Sequence, residues 1–215
     1  MSADEFQEIW KAYDAKLERS LQLNLQLLKE VQSQKARSVL RSFIASRVIG
    51  IVIGILYLLL LGVGFWYVRT QPVMAISFVV FIACTAIAIG EYIREVSVIQ
   101  GISYGDNIVD TQRKLAGIQS SIVGMLRLSW AQLPFWATFF VSNELLRKGG
   151  RGFLMVEIPI VLVLTIAAVI LYKNITIKNA QKKKWVNALI KGSGIKSVSR
   201  AMDFMKEIED FKKDG

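Results

Sequence analysis

Residues 48–68 read VIGIVIGILYLLLLGVGFWYV, a run of 21 residues without a charged side chain. A helix of about 20 apolar residues crosses the hydrocarbon core of a lipid bilayer. Three more stretches share this character: 72–90, 128–143 and 153–172, the last of which contains one charged residue, Glu157. The sequence therefore predicts an all-α integral membrane protein whose core is a bundle of four transmembrane helices.

The third of these stretches is the weakest candidate span, because it contains the polar residues Ser129, Gln132 and Thr138 as well as Pro134. A helix of this composition can instead lie along the membrane surface. That location would put the basic segment 173–215 on the opposite side of the membrane from the other basic segments, against the usual distribution of positive charge. We therefore predict that the third stretch crosses the membrane, which gives two transmembrane hairpins, 48–90 and 128–172.

Lysine and arginine are distributed unequally among the segments outside the apolar stretches. The two terminal segments and the central one contain 23 of them, whereas the two short connections contain four. Positively charged residues that flank membrane spans remain in the cytoplasm. Both termini are therefore predicted to be cytoplasmic, and the cytoplasmic part consists of an amphipathic helix at 1–47, a helical hairpin at 91–127 and a basic helical tail at 173–215.

A stripe of apolar and aromatic residues runs along the predicted N-terminal helix at spacings of three and four. Trp10, Tyr13, Leu17 and Asn24 lie on this stripe, and the spacing is typical of a coiled-coil seam, in which an asparagine can set the register. Most stripes of this kind pack against other helices of the same chain, which is the ordinary interpretation here. Two other interpretations remain open: the stripe binds a cytosolic protein, or it lies on the bilayer surface.

Three consecutive lysines, Lys182, Lys183 and Lys184, follow the last apolar stretch. Basic residues next to a membrane span are attracted to anionic headgroups by about 1 kcal/mol each. We predict that these lysines contact anionic membrane lipids. The alternative is that they only set the orientation of the last span.

Two features within the apolar stretches suggest close contacts or function. Gly50 and Gly54 have the spacing typical of closely packed transmembrane helices; we expect packing within the chain, with homo-oligomer formation as the alternative. Glu157 is an acid inside a predicted span, and such acids are functional candidates. It lies about one turn from the outer end, so a structural role is the preferred interpretation, in which the side chain reaches the membrane surface or pairs with Arg147 or Arg151.

The composition argues against an enzyme. The chain has no histidine, and its one cysteine, Cys84, lies in the apolar stretch 72–90, so histidine bases and Cys/His zinc sites are excluded. The net charge of +10 is not organised as a basic groove with interleaved aromatic residues, which nucleic-acid binding would require. We predict no catalytic, cofactor-binding or metal-binding residues and no nucleic-acid partner.

The N-terminal stripe belongs to a longer pattern, since residues 10–28 read WKAYDAKLERSLQLNLQLL. Together with the apolar stretches, this segment resembles the leader of an uncharacterised family of small bacterial multi-span membrane proteins. Members of that family are often encoded beside sigma factors of the extracytoplasmic-function type. The resemblance implies a location in the bacterial inner membrane and a regulatory role.

These patterns predict a non-catalytic membrane scaffold or regulator. It would bind a cytosolic protein through Trp10, Tyr13, Leu17 and Asn24. The alternative is a small transporter or channel subunit that acts as a homo-oligomer, with Glu157 beside its path.

Overall fold

The computed structural model describes residues 3–102 and 108–214. Every regular element in these residues is helical, which confirms the all-α prediction. The helices are α1 (Ala3–Val68), α2 (Pro72–Gln100), α3 (Ile108–Ala131), α4 (Leu133–Thr138), α5 (Asn143–Asn174), α6 (Ile177–Lys182), α7 (Lys184–Ile190) and α8 (Lys196–Asp214). A π-helical turn, Lys191–Ile195, joins α7 to α8. The predicted turn of the central hairpin falls mainly on 103–107, outside the described residues.

Helix α1 unites the predicted N-terminal helix with the first predicted span. Its 66 residues correspond to a length of about 100 Å. Neither proline nor glycine occurs between Ala3 and Ile49, so the polar part of the helix has no residue that would break it. The polar and apolar parts of α1 therefore form one helix without a turn between them.

Three helices of the described chain are long and apolar enough to cross a membrane. They are Gln7–Val68 of α1, the whole of α2 and the whole of α5. These helices contain three of the four predicted spans, and they are compatible with an integral membrane protein.

The stretch 128–143 is not one continuous helix, and the prediction of four membrane-spanning helices is not confirmed. Helix α3 ends at Ala131, α4 has only six residues, and 139–142 follow outside any helix. Proline lacks a backbone N–H, and its ring clashes with the carbonyl group four residues earlier in a continuous helix. Pro134 is tolerated in the first turn of a new helix, which explains why α4 starts separately from α3.

One hydrophobic core joins the polar part of α1, the end of α2, α3 and α8; we call this region the basal bundle. Its buried side chains are Ala36, Leu40, Phe43, Ile99, Ile102, Leu115, Ile118, Ile122, Val198, Ala201, Met205 and Ile208. The buried residues of α8 recur at spacings of three and four, so one face of that helix meets the core. Burying a side chain such as leucine or phenylalanine contributes roughly 1.5–3 kcal/mol. The basal bundle thus connects the C-terminal helix to the start of the apolar helices.

A second core lies at the opposite end of α1 and α2 and includes α4. Leu61 and Phe78 are buried there, and the ring of Phe139 stacks on that of Phe78 with centroids 4.7 Å apart. The hydroxyl groups of Ser77 and Thr138 form a hydrogen bond of 2.9 Å. Helix α4 therefore packs on the α1–α2 hairpin although it is too short to cross a membrane.

Helix α5 begins upstream of the predicted span 153–172. The hydroxyl oxygen of Ser142 caps it by accepting a hydrogen bond from the backbone N–H of Leu145, at 3.2 Å. Gly150 has a φ of 54°, a conformation that glycine adopts without steric cost, and it divides the helix into two parts. The longer part contains the predicted span.

Candidate functional site

The N-terminal part of α1 extends beyond the basal bundle. Every described side chain from 7 to 24 is exposed, including Trp10 at 61%, Tyr13 at 68% and Leu17 at 53%. Asn24 lies on the same exposed segment. The ordinary interpretation, in which this stripe packs against the chain's own helices, is therefore wrong for 7–24 in the described part of the structure.

Contacts between α1 and the rest of the chain begin about two turns later, at Gln32. Gln32 is buried and its amide group donates a hydrogen bond to the carboxylate of Glu207 on α8. The ammonium group of Lys35 lies 5.8 Å from the ring centroid of Phe204. The boundary between the exposed segment and the basal bundle thus falls between Asn24 and Gln32.

A buried ion pair joins α1 to α2 at the junction of their polar and apolar parts. Arg47 Nε lies 2.7 Å from Glu95 Oε2, and their side chains are only 12% and 1% exposed. Neither oxygen of Glu95 accepts an aligned hydrogen bond from the described residues, so the pair is a direct charge contact. Burial raises the pKa of Glu95, and the positive charge of Arg47 opposes this shift only in part.

Aromatic rings enclose the guanidinium group of Arg47. Its central carbon lies 4.4 Å from the ring centroid of Phe43 and 4.6 Å from that of Tyr92. One Nη2–H donates to the carbonyl oxygen of Ser193 in the π-helical turn, at 3.1 Å. Arg47 therefore connects α1, α2 and the C-terminal region, an arrangement that our sequence analysis missed. The sequence contains one indication of this arrangement. Glu95 lies four residues before Ile99 and therefore on the same, apolar face of α2.

A neighbouring carboxylate, Glu91, connects α2 to α3. The hydroxyl group of Ser121 and Nη2 of Arg94 each donate a hydrogen bond to Glu91 Oε2, both at 2.6 Å. The hydrogen bond from Ser121, followed by that from Arg94, lowers the pKa of Glu91. The two acids of this region therefore have pKa values shifted in opposite directions.

Gly194, in the π-helical turn, allows the start of α8 to lie close to Phe43 and Arg47. Gly194 has a φ of 89°, and a Cβ atom placed on it would lie 2.9 Å from Cε2 of Phe43. Only glycine combines this backbone conformation with so close a contact.

We expect Gly194→Ala to destabilise the protein by about 1–3 kcal/mol, because of the positive φ and the collision with Phe43. Gly192→Ala is the matched control, since a Cβ there meets no atom within 4 Å and the φ of Gly192 is not positive. Thermal unfolding followed by circular dichroism measures both variants. Equal melting temperatures for the two would contradict the expectation.

Gly50 and Gly54 face α2 of the same chain. A Cβ atom on Gly50 would lie 3.0 Å from Cε2 of Tyr92, and one on Gly54 would lie 3.0 Å from Cγ1 of Ile89. Both glycines therefore lie on the side of α1 that contacts its own hairpin partner.

Glu157 lies on α5 beside a largely apolar cavity of about 500 Å³. Its Oε1 is buried without a hydrogen-bond partner, and within the described residues it forms no ion pair with Arg147 or Arg151. Val73 and Thr138 line the same cavity. A buried carboxyl oxygen without a partner, beside an apolar cavity, is a group that can bind a cation.

Lys182, Lys183 and Lys184 are exposed at the junction of α6 and α7, where Lys183 interrupts the helix. The ammonium group of Lys183 donates a hydrogen bond of 2.6 Å to Oδ1 of Asn174. Neither the cavity beside Glu157 nor the cavity beside Arg47 is lined by these lysines or by residues 7–24.

The described residues contain no group of three or more Asp, Glu or Cys side chains that could hold a metal ion. Comparisons of the chain with protein-family models, with curated proteins and with solved structures found no match.

Proposed function

We propose that this chain is a non-catalytic integral membrane scaffold or regulator that binds a cytosolic protein through residues 7–24. The observation that carries the proposal is the exposure of Trp10, Tyr13 and Leu17 on a helix whose later turns are packed in the basal bundle. Tryptophan and tyrosine supply a large share of the binding energy in protein interfaces. An exposed stripe of this kind is the type of surface that a partner covers.

The partner in this proposal contributes at least one α-helix. The stripe repeats at spacings of three and four, which suits the knobs-into-holes packing of a helix laid alongside α1. Asn24 lies on the same stripe, and a polar residue in such a seam selects one register at some cost in stability.

In the proposed topology the chain crosses the membrane four times, with both termini in the cytoplasm of a bacterial cell. The distribution of lysine and arginine supports this orientation. The fourth crossing is formed by the end of α3 together with α4. Its support is that Ser129 lines a cavity with Arg47 at one end of the α1–α2 hairpin, whereas Asn143 donates hydrogen bonds of 3.3 Å to Thr70 and Gln71 at the other end.

The test compares the full-length chain with a form lacking residues 2–24, each reconstituted in lipid nanodiscs and used to recover partners from cytosol. This deletion retains Gln32 and the following contacts, so the basal bundle remains complete. We expect a cytosolic protein to be recovered with the full-length chain only. Its purified form should then bind the full-length chain directly.

Single substitutions make the test specific for the stripe. Trp10→Ala and Leu17→Ala should each weaken binding by about tenfold or more, as expected for interface residues that contribute more than about 1.4 kcal/mol. Arg19→Ala and Gln26→Ala, on the opposite side of α1, are the controls and should leave binding unchanged. Binding that survives the deletion, or that responds equally to both pairs of substitutions, would exclude the proposal.

A transporter or channel subunit that acts as a homo-oligomer is the second candidate. The buried, unpartnered Oε1 of Glu157 beside an apolar cavity favours it. Recovery of only further copies of this chain, by the full-length and the truncated form alike, would favour this candidate over the scaffold.

A further inference from the structure

A cavity of about 450 Å³ lies between α1, α2, α3 and the π-helical turn. Its polar lining consists of Arg47, Tyr92 and five serines: Ser42, Ser46, Ser129, Ser193 and Ser197. Its apolar wall consists of Phe43, Ala88, Ile122, Met125 and Leu126. One side of the cavity therefore suits a polar group and the other suits a hydrocarbon.

The polar side offers several hydrogen-bond donors that the protein does not use. The hydroxyl groups of Ser42, Ser46 and Ser197 have no hydrogen-bond partner among the described residues. A guanidinium group has five N–H donors. One N–H of Arg47 donates to the carbonyl oxygen of Ser193, and the N–H at Nε lies beside the carboxylate of Glu95. Three N–H donors of Arg47 therefore remain, and a fork of such donors matches the oxygen atoms of a phosphate.

The charges around the cavity also favour an anionic group. No acidic side chain lines it. Glu95 contacts Arg47 from α2 but lines a different cavity, so its carboxylate is not part of this lining. Lys191 and Lys196 flank the π-helical turn that closes one side and are exposed.

The position of the cavity along α1 identifies the source of the phosphate. Arg47 directly precedes the apolar run 48–68, and Ala88 lies near the end of the apolar part of α2. In the proposed topology this is the level of the headgroups of the inner leaflet. Ser46 and Ser129 are exposed at the cavity, so a lipid has access from the side.

We propose that this cavity binds the phosphate group of a phospholipid through Arg47 and the surrounding serine hydroxyls, with the start of the acyl chains on the apolar wall. The proposal rests on the membrane topology given above, but not on the cytosolic partner. It also differs from the predicted contact of Lys182, Lys183 and Lys184 with the membrane surface, because it concerns one lipid in a defined cavity.

The experiment counts the phospholipids that remain bound to the chain after extraction in detergent, by native mass spectrometry. The unaltered chain is expected to retain one phospholipid. Ser129→Leu should reduce the retained fraction by about tenfold, because the larger side chain occupies the cavity while the contact between Arg47 and Glu95 stays intact. The hydroxyl group of Ser129 bonds only to the carbonyl oxygen of Met125 on its own helix, so this variant is expected to fold.

Arg47→Gln should reduce lipid retention to a similar extent, since it removes the charged donors. Arg41→Gln is the matched control, because Arg41 lies on the same helix but lines a different cavity. Equal retention by the unaltered chain and the Ser129→Leu variant would overturn the proposal. Displacement of the lipid by inorganic phosphate at equal concentration would also overturn it, in favour of a soluble phosphate ligand.

Membrane insertion is tested separately by extracting the native membranes with alkaline carbonate and with detergent. An inserted chain that retains no phospholipid would overturn the lipid site alone. A chain released by carbonate would overturn the topology and the lipid site together. Recovery of the cytosolic partner by Ser129→Leu reports on the proposed function independently, because this substitution leaves residues 7–24 unchanged.

Discussion

Replacing Arg47 with alanine is expected to destabilise the protein by about 3–5 kcal/mol, because the buried carboxylate of Glu95 loses its counter-charge. The same substitution removes the hydrogen bond to Ser193 and the contacts with two aromatic rings. For a protein of this size the loss corresponds to a decrease in melting temperature of roughly 6–20 °C. Circular dichroism of the protein in lipid nanodiscs measures it.

The size of this loss should depend on pH. Burial raises the pKa of Glu95 above its ordinary value, so the favourable contribution of the protonated group is complete below the unfolded-state pKa and is lost as the pH rises through the folded-state pKa. In the Arg47→Ala variant, α1 no longer supplies the positive charge that opposes this rise in the pKa of Glu95. The difference in stability between the unaltered protein and the variant should therefore widen as the pH rises from 4 to 8.

Two further variants separate the ion pair from other roles of Arg47. Arg41→Ala, at an exposed position on the same helix, should change the free energy of unfolding by less than about 0.5 kcal/mol. The double variant Arg47→Met with Glu95→Leu removes both buried charges and should recover part of the stability lost in Arg47→Ala. A double variant less stable than Arg47→Ala would show that the charge contact is not the main contribution.

The substitution Leu40→Ala should destabilise the protein by about 2–5 kcal/mol, because Leu40 is 1% exposed in the core of the basal bundle. The same substitution at Leu17, on the exposed segment of the same helix, should change the free energy of unfolding by less than about 0.5 kcal/mol. Partner binding should respond in the opposite way, with a large loss only for Leu17→Ala. Similar unfolding temperatures for the two variants would show that the two parts of α1 are not as different as their burial indicates.

The all-α fold and three of the apolar helices follow from sequence because they depend on composition and local periodicity. The sequence also indicates the break before α4, since Pro134 restricts the helix locally, but the distribution of positive charge decided our prediction for 128–143. The charge distribution bears on how often a chain crosses the membrane, not on whether one stretch forms a single helix.

The contacts of Arg47 and the exposure of Trp10 depend on distant parts of the chain. Periodicity identifies the face of a helix that is apolar, but it does not tell whether another helix of the chain covers that face. Arg47 lies between a polar and an apolar segment, a position typical of the positive charges that flank membrane spans. Its contacts with Glu95 and Ser193 arise from packing between elements that lie far apart in sequence.

Because α1 is one continuous helix, the distance between its exposed N-terminal segment and Arg47 is fixed. Trp10 and Arg47 are separated by 37 residues of uninterrupted helix, which corresponds to about 55 Å. In the proposed topology, a protein bound at Trp10 would lie well away from the membrane surface. Any turn of the apolar half of α1 about its axis would swing Trp10 through nearly the same angle, because no proline or glycine between them can absorb the motion.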